Sequence, residues 1–119
     1  MSSFDDHAIL ISSLKSKQEA AFEYLYDRYS AALYGIVFKI VTDADEASDV
    51  LQDAFINISL KIDTYDATKG SLFTWILNIA RNKALDALRK KERKYKIQLD
   101  DQIVGTIESK GATNSNSQT

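Results

Sequence analysis

The sequence predicts an all-α fold, a compact bundle of four main helices with a disordered C-terminal tail, and three observations carry that prediction. The chain has no proline and only four glycines in 119 residues, so little in it stops a helix or forces a sharp turn. Apolar residues recur at three- and four-residue steps through most of its length, the spacing that gathers side chains on one helical face. Residues suited to helix capping stand where those periodic runs begin.

The first helix is expected to start after Asp5 or Asp6, either of which can accept a backbone N–H, and Leu10, Ile11 and Leu14 give it an apolar side. Ser16-Lys17-Gln18-Glu19 has the form of a capping box and predicts the start of a second helix. Phe22, Leu25, Tyr29, Leu33, Ile36, Val37 and Ile40 form its buried stripe. Tyr24, Tyr26 and Tyr34 fall partly off that stripe, where an apolar ring with a polar tip suits the margin of a core. Asp43 and Glu46 repeat the cap pattern before a third helix, whose inner stripe is Ala47, Val50, Leu51, Ala54, Phe55, Ile58 and Ile62. Asp63 to Gly70 loses periodicity and reads as a loop whose one large side chain is Tyr65. Ser71 can cap a fourth helix that packs through Leu72, Trp75, Ile76, Ile79, Ala80, Ala84 and Leu88. Beyond Lys96 the pattern fades, so residues 1–96 are expected to form the domain and 97–119 a linker or disordered tail.

The length allows one core and excludes two. Hydrophobic content of 45% and charged content of 27% are ordinary for a globular protein, and no apolar run approaches the roughly 20 residues that span a bilayer. The first residues lack a secretory signal pattern, which predicts a cytoplasmic protein without membrane insertion. Without cysteine there is no thiolate nucleophile or thiolate metal site, and His7 alone supplies imidazole, as a first-turn surface residue. No nucleophile-and-base pattern and no phosphate-cradling glycine loop is present, so no enzyme, cofactor or metal is expected.

The net charge of −2 conceals two segments of opposite sign. Asp43 to Asp53 carries five acidic residues and no basic one, whereas Arg81 to Lys96 carries eight basic residues against Asp86 and Glu92, a local charge of +6. On the basic helix, lysines and arginines can neutralise phosphates, and Asn78, Arg81, Asn82 and Arg89 share a face able to make directed hydrogen bonds to base edges. A helix C-terminus that complements its dipole with solvated cations is the other account of the lysine run. Asp49, Gln52, Asp53 and Ile56 likewise suit docking onto a basic partner, although composition alone favours a solvated acidic face. Tyr65 could stack on an unpaired base or fold back over the core. Trp75, on the apolar stripe, belongs to the core.

Taken in order, Ala20-Ala21-Phe22, Leu25-Tyr26 and Tyr29, then Glu46 to Phe55 (EASDVLQDAF), then Thr74-Trp75-Ile76, Ile79 to Asn82, Asp86 and Arg89-Lys90, resemble region 2 of an extracytoplasmic-function (ECF) sigma factor of the sigma-70 family. The likeness covers about residues 5 to 93. It implies a domain that binds core RNA polymerase at the β′ clamp helices through Asp49, Gln52 and Asp53, with Ile56 beside them, and that recognises and melts the promoter −10 element. The loop spanning Tyr65, Asp66, Lys69, Gly70 and Ser71 would take a base flipped from the non-template strand. Asn78, Arg81 and Asn82 would read the opened strand, and Lys83, Arg89 and Lys90 would hold phosphates. The resemblance further implies an anti-sigma factor as partner and a monomer when free. Nothing after Lys96 could form the family's second, helix-turn-helix domain, so the sequence reads as an excised or truncated domain that binds duplex DNA weakly. A small dimeric repressor that reads duplex DNA, or a protein-binding adaptor without a DNA role, stands as the alternative.

Overall fold

Asp6 opens the first helix, its carboxylate accepting from Ala8 N at 2.9 Å and Ile9 N at 3.3 Å. The structure, a computed structural model, describes residues 3–110, with side chains through residue 103. A 3-10 turn at Ser3–Asp5 precedes α1 (His7–Lys15), followed by α2 (Glu19–Val41), α3 (Ala44–Lys61), a second 3-10 turn (Ile62–Thr64) and α4 (Leu72–Lys110). No strand occurs among the described residues, and none of their helices is long and apolar enough to cross a membrane.

Two of the remaining caps follow the sequence expectation. Asp43 accepts from Glu46 N at 3.0 Å at the head of α3, and Ser71 Oγ accepts from Thr74 N at 3.1 Å at the head of α4. The predicted capping box at Ser16 does not form. Ser16 instead ends α1, with its N–H on Ser12 O, and Lys17 takes a left-handed φ of 62° that turns the chain. Gln18 thereby becomes the extended residue whose carbonyl receives the first bonds of α2, from Ala21 N and Phe22 N. One serine cannot both terminate a helix in near-helical geometry and adopt the extended conformation of an N-cap. At the other end of α2, Thr42 closes the helix in the left-handed region with φ 58°.

The core follows the predicted stripes except at Ile36 and Leu88, which are only half-buried and lie outside the cluster. Leu10 and Leu14 of α1, Leu25, Leu33 and Val37 of α2, Ala47, Ala54 and Ile58 of α3, and Leu72, Ile76 and Ala80 of α4 are all buried in one cluster. Aromatic pairs seal its margin: Tyr26 meets Phe55 across α2 and α3 at 4.9 Å, and Tyr29 meets Phe73 across α2 and α4 at 5.3 Å. Tyr24 is tied by its hydroxyl to Asp5 at 2.6 Å, which raises its pKa, with burial adding to the shift.

Helix α4 differs from the expectation in length. It continues to Lys110, past Lys96 where the apolar period was lost. Helix propensity needs no buried stripe: Lys, Glu, Gln and Leu favour the helix on their own, and Tyr95, Ile97 and Leu99 are exposed within it. Of the predicted tail, 97–110 is therefore helical, and 111–119 lies outside the described residues. By packing, residues through Ala87 form one unit and those from Leu88 another.

The Ser71 cap yields a first prediction. Ser71→Ala is expected to lower stability by about 1 kcal/mol, read as a lower urea midpoint at unchanged slope.

Candidate functional site

The segment between the second 3-10 turn and α4 is held in part by bonds that its own sequence supplies. Asp66 Oδ1 accepts from the Thr68 hydroxyl at 2.7 Å and from Thr68 N at 2.9 Å, and Lys69 N closes the turn on Asp66 O at 3.0 Å. The Thr68 hydroxyl and then its N–H hold the Asp66 carboxyl below its ordinary range. The turn gains that support above the ordinary carboxylate pKa and loses it as pH falls through the lowered value. Ser71 and Thr74 pair their hydroxyls at 2.9 Å at the mouth of α4.

Tyr65 does not stand out as an exposed stacking platform. Of its two sequence readings the structure takes the folded-back one, with the residue 4% exposed and its ring 5.4 Å from that of Trp75. Its hydroxyl donates to Gly70 O at 2.8 Å across the loop, and Lys15 Nζ donates to its carbonyl at 2.7 Å. Burial, and then the Asp66 carboxylate, push the phenol pKa up, so the hydroxyl stays a donor. The driving force is the apolar area of the ring, which gains more from the core than from water. Gly70 itself is near extended, at φ 159°.

A recess of about 270 Å³ opens between this loop and the first turns of α4. It gathers Tyr65, Asp66, Lys69, Gly70 and Ser71, every predicted loop residue, together with Asn78. Thr64, Thr74 and Trp75 complete its lining and were not among the predicted site residues. Thr74 carried a signal, standing three residues after Ser71 and four before Asn78 on one helical face. Trp75 carried none, because its stripe position reads as core, and it does serve the core while also lining the recess. At about 270 Å³ the volume falls just short of the roughly 300–1,000 Å³ typical of sites for drug-sized ligands.

Farther along α4, Ile76, Ala80 and Ala84 point inward, which leaves Asn78, Arg81 and Asn82 exposed and Lys83 half-buried. Arg81, Asn82 and Lys83 do not line the recess. Arg89 and Lys90 belong to the second unit and are exposed there.

On α3, burial of Ala47, Val50, Leu51, Ala54 and Ile58 turns Asp45, Asp49, Gln52, Asp53 and Ile56 to solvent. Ile56 is 58% exposed and borders a groove of about 540 Å³ lined with Phe22, Tyr26 and Phe55. The sequence reading found the acidic face and Ile56 but not the groove, whose walls come from two helices and share no local pattern.

The chain resembles known proteins over most of its length. The family description that matches is Sigma-70 region 2, over residues 25–94. The chain is 32% identical over 96 residues to the ECF RNA polymerase sigma factor SigW of Bacillus subtilis, covering 81% of this chain and 50% of that protein. It is 33% identical over 90 residues to SigX of the same organism, covering 76% and 43%. SigK of Mycobacterium ulcerans is 31% identical over 85 residues, covering 71% and 46%. The chain thus spans about half the length of the curated relatives it matches. Among solved structures, an engineered region 2 of sigmaE in complex with GTAAAA, determined by NMR, superposes with a TM-score of 0.69 at 28% identity, covering 79% of this chain and 97% of that one.

Proposed function

Because the chain belongs to the sigma-70 region 2 family, whose members are non-enzymatic transcription initiation factors, we propose that it docks on core RNA polymerase and holds the opened non-template strand of a promoter −10 element. The observation that carries the DNA half of this reading is the recess, where the predicted loop residues and Asn78 converge. The engineered sigmaE region 2 was solved bound to GTAAAA, and the loop here has the size and polar rim to take one extruded base. Melting a promoter costs a few kcal/mol per unstacked base, and a site that holds the base outside the stack offsets part of that cost.

Roles divide by chemistry. Asp66, Lys69, Ser71 and Asn78 offer the captured base donors and acceptors against the Tyr65 and Trp75 walls. Arg81 and Asn82, exposed on α4, read neighbouring bases, while Lys83, Arg89 and Lys90 take phosphates. Asp49, Gln52 and Asp53 meet the β′ clamp helices, with Ile56 as the apolar anchor. An anti-sigma factor would regulate the domain by covering it, and the free protein acts as a cytoplasmic monomer. Family membership sets aside the small-repressor alternative.

The test is fluorescence anisotropy of the chain on single-stranded hexanucleotides across a salt series. Asn82→Ala is expected to cut affinity for a preferred strand by about fivefold or more relative to a scrambled one. Lys83→Ala should weaken both strands alike and reduce the salt slope by about 0.7. Equal losses on both strands for Asn82→Ala would reduce that residue to a backbone contact.

A further inference from the structure

The geometry points to Lys15 as a positioning residue for the recess: from the last residue of α1 it fixes Tyr65, 50 residues away, and so couples the first helix to base capture. This rests on the base-capture reading above. Lys15 Nζ lies 2.7 Å from the Tyr65 carbonyl oxygen and 5.9 Å from the centre of the Tyr65 ring, so one ammonium addresses both the backbone and the face of the same residue.

Tyr65 is where the recess is fastened to the domain. Its N–H is held by Ile62 O at 3.1 Å, its hydroxyl by Gly70 O and its ring by Trp75, and Lys15 secures the fourth element, the carbonyl. That carbonyl belongs to the peptide plane joining Tyr65 to Asp66. Rotating this plane moves the Asp66–Lys69 turn, which forms one side of the recess, relative to the Tyr65 and Trp75 walls. Without the ammonium the part-buried carbonyl loses that partner and can turn toward the solvent that reaches the exposed Lys15 position. The fold would survive while the recess lost its fixed shape, and a loosely held site forfeits the pre-organisation that makes binding selective. The simpler account, a lysine that merely complements the C-terminal dipole of α1, predicts no effect on base capture.

Single-stranded hexanucleotides carrying one abasic site at each position in turn separate the two. With the wild-type chain, the abasic site at the position that occupies the recess should cost about fivefold or more in affinity. Lys15→Met should bind the intact strand within about twofold of the wild type on that abasic strand, losing the penalty at that position alone. Lys15→Arg, which keeps a cationic donor, should retain it. If Lys15→Met keeps the full penalty, even with uniformly weaker binding, the inference is overturned while the base-capture reading stands. If no abasic position matters to the wild-type chain, the base-capture reading fails and takes the inference with it. Circular dichroism melting checks the fold, and should Lys15→Met not fold, Lys15→Leu, likewise uncharged and without a donor, is read in the same way.

Discussion

Replacing Asp49, Gln52 and Asp53 together with alanine is expected to weaken binding to the β′ clamp helices by about a hundredfold, on the order of 3 kcal/mol, while the domain melts where it did before. The separation of effects follows from the geometry. All three side chains are exposed on the face of α3 opposite its buried residues, so their removal opens no cavity. Alanine is also the best helix former, and the N-cap Asp43 is untouched. In the proposed complex, the two carboxylates and the amide oxygen would accept charge-assisted hydrogen bonds from a basic partner, and their loss would strand the partner's cations. Ile56→Ala should add a smaller loss at unchanged salt dependence, since it contributes apolar area beside the Phe22, Tyr26 and Phe55 groove and no charge. A pull-down with the clamp-helix fragment, repeated across ionic strength, distinguishes the terms. Wild-type affinity in the triple variant would remove α3 from the docking surface.

What the sequence could reveal here tracks how local each feature is. The buried stripes of α2, α3 and α4 are written in three- and four-residue spacing, and Asp6, Asp43 and Ser71 announce their helices through their own side chains. The acidic and basic segments are likewise contiguous, which is why they could be separated despite the small net charge. Ser16 failed as a predicted cap because the same residue lay at the end of one helix and near the start of the next, and only the backbone path decides between them. The extension of α4 to Lys110 was hidden for a different reason, in that its described residues past Lys96 are all exposed, and a stretch that buries no face leaves no periodic trace. The groove beside Ile56 and the Lys15 contact with Tyr65 join residues far apart in the chain, and no spacing rule encodes them. Tyr65 itself was legible as the loop's large side chain but not in its direction, because an aromatic with a polar tip satisfies either environment.

Its buried direction makes Tyr65 the position where stability and strand capture should fail together. Tyr65→Ala removes a ring that is 4% exposed, packs on Trp75 and walls the recess, a truncation expected to cost about 3–5 kcal/mol. Against a total of about 5–15 kcal/mol for a typical domain, that should lower the melting temperature by about 15 °C or more. Tyr65→Phe keeps the ring and loses only the bond to Gly70 O, so it should cost about 1 kcal/mol and leave the wall in place. Comparing the pair on intact and abasic strands, at a temperature where both variants are folded, then assigns the ring its part in binding. The alanine variant should bind both strands alike, having lost the surface on which an extruded base rests, whereas the phenylalanine variant should still discriminate. The hydroxyl bridge and the ring wall have different tasks: the bridge spans Tyr65 to Gly70 and limits the spread of the loop, and the ring supplies contact area. If Tyr65→Ala melts within about 1 kcal/mol of wild type and still distinguishes the strands, the ring is neither core nor wall, and base capture would have to rest on Trp75 and the polar rim alone.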